Sequence, residues 1–166
     1  MIIVQGSPIS RSFMSDFARV EHKPALVVAG LRETVDQFEG RAALWTKVVD
    51  SATLAGANVA HAQQIAIIFG ANKNQEFDYM AGFVVDSRES AGKLGLNAAE
   101  VPAGEYAVVD VRGPAPLASS TGLEYLVSTF LPEHGLKPNG PAMEIFGPGD
   151  TGAEDYAMQV WLPVKA

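Results

Sequence analysis

An α+β fold built from a duplicated β-α-β-β unit is what this sequence predicts: a mostly antiparallel curved sheet with two main helices and a central ligand groove. Three observations point there. The stretch "IAIIFG" at 65–70 returns as "AMEIFG" at 142–147. After each copy seven residues pass and an Asp-Tyr pair follows, Asp78-Tyr79 and then Asp155-Tyr156. Each copy is also preceded by a β-rich run and then by apolar residues at helical spacing, the order expected of a repeated supersecondary unit.

In the first copy, "ALVVAGLRE" at 25–33 is a strand. Thr34 then opens a helix, with Gln37 three residues on to complete a capping box. Phe38, Ala42, Trp45, Val49 and Ala52 recur along one face and predict that helix over 34–52. "QIAIIFG" and "FDYMAGFVVD" are two strands separated by the turn-like "ANKNQE". In the second copy "GEYAVVDVRG" at 104–113 is a strand, punctuated by Pro114 and Pro116. Leu123, Leu126, Val127 and Phe130 form a second helical stripe that Pro132 and Gly135 end. "PAMEIFG" and "DYAMQVWLPV" are the last two strands. Residues 87–103, rich in Ala, Gly and Ser, read as a joining segment between halves at about 24–86 and 104–164.

Composition narrows the function. The chain has 166 residues, 48% hydrophobic and 19% charged, which suits one globular domain. A net charge of −7 argues against nucleic acid as a partner, since phosphate binding needs clustered Lys and Arg. It favours a cationic or neutral small molecule. The absence of cysteine removes thiolate catalysis and Cys-ligated metals, and fits a cytoplasmic setting. No apolar run has the ~20 residues of a membrane helix. His22, His61 and His134 lie in separate segments without ligand spacing, so neither a metal nor any other cofactor is expected. "GPGDTG" at 147–152 matches a dinucleotide fingerprint only by letter; a strand comes after it, and the stretch reads as a hairpin turn. Residues 1–15 stand apart as a leader, with Met14 a second candidate start, and the domain is expected over 16–166.

The sharpest feature is Glu144. By the Ile-Phe-Gly match its twin is Ile67, and strand alternation puts apolar neighbours around it. A buried carboxylate is costly unless it is paired, hydrogen-bonded or protonated. An organic cation against aromatic faces is one such partner. The alternative is a structural glutamate, exposed at an edge or bonded to backbone or to a tyrosine. On the first reading, Glu144→Ile would hold or raise stability while cation binding fell.

The order "KPALVVAGL" at 23–31, "FDYMAGFVV" at 77–85, "VPAGEYAVVDVRGP" at 101–114, "AMEIFGPGD" at 142–150 and "VWLPVK" at 160–165 resembles the GyrI-like (gyrase-inhibitor-like) effector-binding domain. That domain occurs alone, in some integron cassette proteins, and attached to AraC-type and MerR-type regulators. With about 22 residues ahead of the first strand, the resemblance is to the stand-alone form. It implies a binder of lipophilic, often cationic, small molecules. It places Glu144 where the family's ligand-contacting glutamate stands, Phe146 where Tyr is common, and Trp161 as the aromatic of the final strand. From the residues themselves, Trp161 is the favoured aromatic partner because its strand is expected to pair with that of Glu144, Trp45 on the first helix stripe is the second and Tyr106 after "VPAGE" the third, with Phe83 and Tyr79 as further candidates. Some family members are hydrolases of cyclopropane-bearing alkylating natural products, so an enzyme using the same groove is the alternative to a binder. A protein-interaction inhibitor is a third reading. No catalytic residue is assigned, and the oligomeric state is not read.

Overall fold

The structure, a computed structural model, describes residues 17–36 and 38–166. The expected leader at 1–15 and the capping-box Gln37 lie outside the described residues. The strands are β1 (Ala18–Lys23), β2 (Leu26–Val35), β3 (Gln64–Ala71), β4 (Phe77–Val85), β5 (Asn97–Val101), β6 (Gly104–Arg112), β7 (Lys137–Pro138), β8 (Ala142–Phe146) and β9 (Ala157–Lys165). The helices are α1 (Glu39–Leu54), α2 (Arg88–Lys93) and α3 (Ala115–Tyr125), the last continuing through a π turn at Leu126–Phe130 to Leu131–Glu133.

The sheet runs β1-β6-β9-β8-β3-β4-β2-β5, with β7 added beside β9, and every pairing is antiparallel. It is curved and does not close into a barrel. Its order is symmetric about the β3–β8 contact, so the two halves meet there. Each half also takes an edge strand from the other. β1 precedes β2 in the chain but pairs with β6, and β5 precedes β6 but pairs with β2. The repeating unit is therefore β-β-α-β-β with its leading strand exchanged. Residues 87–103, expected to be a joining segment, hold α2 and β5.

α1 starts later than the capping box implies. Thr34 and Val35 are β-branched, extend β2 and pair with Asp78 and Phe77. The acceptor at the helix start comes from Asp36, whose Oδ1 receives the Gly40 N–H at 2.6 Å. Leu44, Val48 and Ala52 face the sheet and are buried to 0% exposure. Of the expected stripe only Ala52 is in this row; Phe38, Ala42, Trp45 and Val49 lie one position around the helix.

Two apolar clusters cover the helix-bearing face, one under α1 with Ala29, Ala66, Tyr79, Ala81 and Phe83, the other under α3 with Val109, Val160 and Leu162. Phe146 packs against both. The opposite face is buried by the curl of the sheet itself, because one cluster gathers Val28 of β2, Met143 of β8 and Tyr106 and Val108 of β6. α3 lies very close to β6 at Gly122, where an added Cβ would stand 2.8 Å from Val111 Cγ1.

The repeat carries a one-residue slip. Ala66 pairs with Glu144, and Ile67 with Met143. Paired residues share a face, so Glu144 is on the helix-bearing face with Ala66, while Ile67 is on the other. The counterpart suggested by Ile-Phe-Gly is thus wrong by one position. Plain alternation from Ile65 and Ile67 puts Phe69 on the opposite face from Phe146, and the register of β3 on β4 shifts only beyond this, between Ile68 and Gly70.

Candidate functional site

A cavity of about 580 Å³ opens between α1 and the start of α3. Phe38, just ahead of α1, and Arg41, Ala42, Trp45 and Val49 of α1 line it, so four of the five residues of the expected stripe border the cavity, while the fifth, Ala52, is in the core. Ala115 and Pro116 of α3 form the facing wall, with Thr151 from the β8–β9 loop. Gln64, Tyr79 and Phe146 come from the strands beneath. Trp45 meets the Phe146 ring edge-on at 5.4 Å and the Phe83 ring at 6.5 Å, packing that fixes both the indole and the aromatic floor.

Behind this floor lies a buried polar chain. Glu144 is 1% exposed. The Tyr79 hydroxyl donates to its Oε1 at 2.7 Å, and Trp45 Nε1 donates to the Tyr79 oxygen at 3.3 Å. Arg41 Nη1 donates to Glu144 Oε2 at 3.1 Å. The same guanidinium stands over the Tyr79 ring at 4.5 Å and within 5.2 Å of the Phe77 ring. Burial holds the Tyr79 phenol well above its ordinary value, and the Glu144 charge reinforces this. Tyr79 therefore stays protonated and donates.

The expected site residues divide by face. Trp45, Tyr79 and Phe146 line the cavity, Glu144 lies behind it, bonded to the lining residues Tyr79 and Arg41, and Phe83 lies under Trp45. Trp161 and Tyr106 are elsewhere. β9 does pair with β8, as expected, but Trp161 stands opposite Met143, on the face away from Glu144. There its ring packs against Tyr106 at 6.0 Å and beneath Lys23 Nζ at 4.3 Å, and its Nε1 donates to Gln159. Tyr106 is buried on that same face and donates to the Pro102 carbonyl. Neither belongs to this cavity.

Sequence reasoning misses Arg41. Its signal is present: a basic residue in the first turn of a helix, where the macrodipole disfavours it, four positions before Trp45 and so on the same side. Among the described residues no group of three or more His, Asp and Glu is placed to hold a metal ion, and no helix is long and apolar enough to cross a membrane.

A curved, duplicated antiparallel sheet with an aromatic cavity between its two longer helices defines a small-molecule-binding class of domain. The chain belongs to the GyrI-like small molecule binding domain family, whose model matches residues 18–165. Solved structures share the fold at low identity. SAV2435 bound to tetraphenylphosphonium is 19% identical, with 90% of this chain and 94% of that one covered and a TM-score of 0.63. The integron cassette protein VCH_CASS2 of Vibrio cholerae is 12% identical, with 90% and 96% covered and a TM-score of 0.61. A hydrolase encoded by lin2189 of Listeria innocua is 9% identical, with 90% and 92% covered and a TM-score of 0.62. No curated protein matches the chain in sequence.

Proposed function

We propose that this protein binds a lipophilic aromatic cation in the cavity between α1 and α3, acting in the cytoplasm as a sensor or sequestering agent, with Glu144 as counter-charge. The observation that carries this reading is the fully buried carboxylate directly behind Tyr79 and Arg41 of an aromatic cavity, with that cationic group already drawn against it. The cavity and its floor hold one positive charge, Arg41, and two negative ones, Asp50 and Glu144. A flat or propeller-shaped organic cation would lose little hydration on entry, and each aromatic face would add about 0.5–2 kcal/mol. The tetraphenylphosphonium on SAV2435 is a ligand of that chemistry. Binding is favoured over hydrolysis because both oxygens of Glu144 are engaged, one by Tyr79 and one by Arg41, whereas a general base needs reach to its proton.

Tetraphenylphosphonium and tetraphenylborate, matched in shape and opposite in charge, test this by tryptophan fluorescence. The cation should quench, and Trp45→Phe should remove most of the response, leaving the Trp161 signal unresponsive. Equal affinity for the borate would overturn the counter-charge role, and no binding of either would overturn the reading.

A further inference from the structure

Arg41 fits its seat poorly. Its bond to Glu144 is 3.1 Å, longer than the about 2.7–2.9 Å usual for a charge-assisted pair. Its Nε is buried with no hydrogen-bond partner. It stands in the first turn of α1, where the helix dipole opposes a positive charge. Yet a guanidinium there occupies what an organic cation would want: one carboxylate oxygen and the faces of Tyr79 and Phe77. The way out is short. Arg41 itself lines the open cavity, and Phe38, one turn earlier, is 63% exposed.

Resting on the binding reading, we propose that Arg41 is a built-in competitor for the ligand, an internal cation that holds Glu144 until a ligand cation displaces it to the surface. This one contact has three consequences. The carboxylate is never left buried and bare when the cavity is empty. Cations that bury too little apolar surface to drive Arg41 out are rejected. Ligand binding delivers a guanidinium to the surface beside the start of α1, which makes occupancy visible from outside.

The affinity penalty is set by the population of the open state. If Arg41 covers Glu144 in about nine molecules of ten or more, apparent cation affinity is reduced about tenfold or more. The test compares wild type, Arg41→Gln, Arg41→Lys and the double variant Arg41→Gln/Glu144→Gln. Gln keeps an amide N–H for Glu144 but removes the competing charge; Lys keeps the charge. The probes are tetraphenylphosphonium and triphenylphosphine oxide, a neutral aromatic compound with a strong acceptor. Arg41→Gln should bind the phosphonium about tenfold tighter or more, Arg41→Lys should stay near wild type, and the double variant should lose the gain. Phosphine oxide affinity should change little.

A phosphonium affinity unchanged or weakened in Arg41→Gln overturns the proposal. So does loss of phosphine oxide binding in that variant, which would make Arg41 a donor to ligand acceptors. Should Arg41→Gln not fold, the wild-type protein decides: phenylglyoxal should modify Arg41 faster when tetraphenylphosphonium is bound, and stronger protection would overturn the displacement. If wild type binds the phosphonium but these signatures are absent, only the Arg41 role fails. If neither probe binds any variant, the binding reading fails and takes this proposal with it.

Discussion

Glu144→Ile is the substitution the repeat suggests, and the structure reverses its expected effect on stability. Replacing an unpaired buried carboxylate would relieve the fold. Here the carboxylate is paired, and removing one partner of a buried ion pair costs about 3–5 kcal/mol because the other charge is stranded. The two partners are not equally stranded. The Arg41 side chain is 10% exposed, lines the cavity and can turn to solvent, whereas that of Glu144 is 1% exposed and has no such route. Glu144→Ile should therefore cost about 1–3 kcal/mol, no more than the lower end of that range. Arg41→Met should cost more, about 3–5 kcal/mol, even with the Tyr79 hydroxyl still donating to Glu144. The double variant should return to within about 1 kcal/mol of wild type, as apolar replacement of whole buried pairs often does. For a chain of 166 residues each kcal/mol is about 2–4 °C in Tm. Chemical denaturation of the four proteins yields the coupling energy, expected at about 3 kcal/mol or more. A coupling below about 0.5 kcal/mol would show that Arg41 and Glu144 do not act as a pair, and the assignment of both would fall.

Tyr79 predicts an alkaline weakness. Its phenol is held above the ordinary value mainly by burial, so above pH about 10 the unfolded chain releases a proton that the folded one keeps. Stability is unaffected below that pH and declines as pH rises past it, and Tyr79→Phe should flatten the decline seen in denaturation midpoints; an unchanged slope would refute the burial argument. Two glycines should respond in opposite directions to alanine. Gly122→Ala forces a Cβ to within 2.8 Å of Val111 and should lower Tm, overpacking of about 1–3 kcal/mol exceeding the helix-propensity gain of about 1 kcal/mol. Gly92→Ala in α2 meets open space and should raise stability by about 0.5–1 kcal/mol, so a loss there would mean α2 is not helical.

The repeated order of strands and helices is legible because each unit carries its own periodicity and turn residues. The edge strands are not. "ARVEHK" and "NAAEV" are short and mixed in polarity, and their identity comes from pairing with β6 and β2 rather than from local preference. Of the expected stripe, Phe38, Ala42, Trp45 and Val49 do share one side, while Ala52 belongs with Leu44 and Val48 in the core, and periodicity cannot say whether an apolar face meets a core or a cavity. Glu144 stands out as a carboxylate in an apolar strand, although the comparison with Ile67 is one residue out of step, a slip that only the register of β3 against β8 reveals. Strand adjacency draws Trp161 to Glu144, yet a residue's face depends on register, and Met143 is its partner. Arg41 reaches Glu144 across 103 residues of chain, a pairing that no local pattern encodes.

The exchanged edge strands bear on how such a site can come to exist at all. A half-length chain carrying one β-β-α-β-β unit has no partner of its own for its leading strand. It could build this sheet only as a homodimer of interlocked copies, each lending a strand to the other. At the twofold axis of such a dimer, identical residues would face each other, giving two carboxylates or none. Joining the copies in one polypeptide removes that constraint. Glu144 can then sit directly across from Ala66, whose small side chain leaves room for it, and a single Arg41 can answer a single charge. A polar centre with one sense of direction is available only once the two halves are free to drift apart.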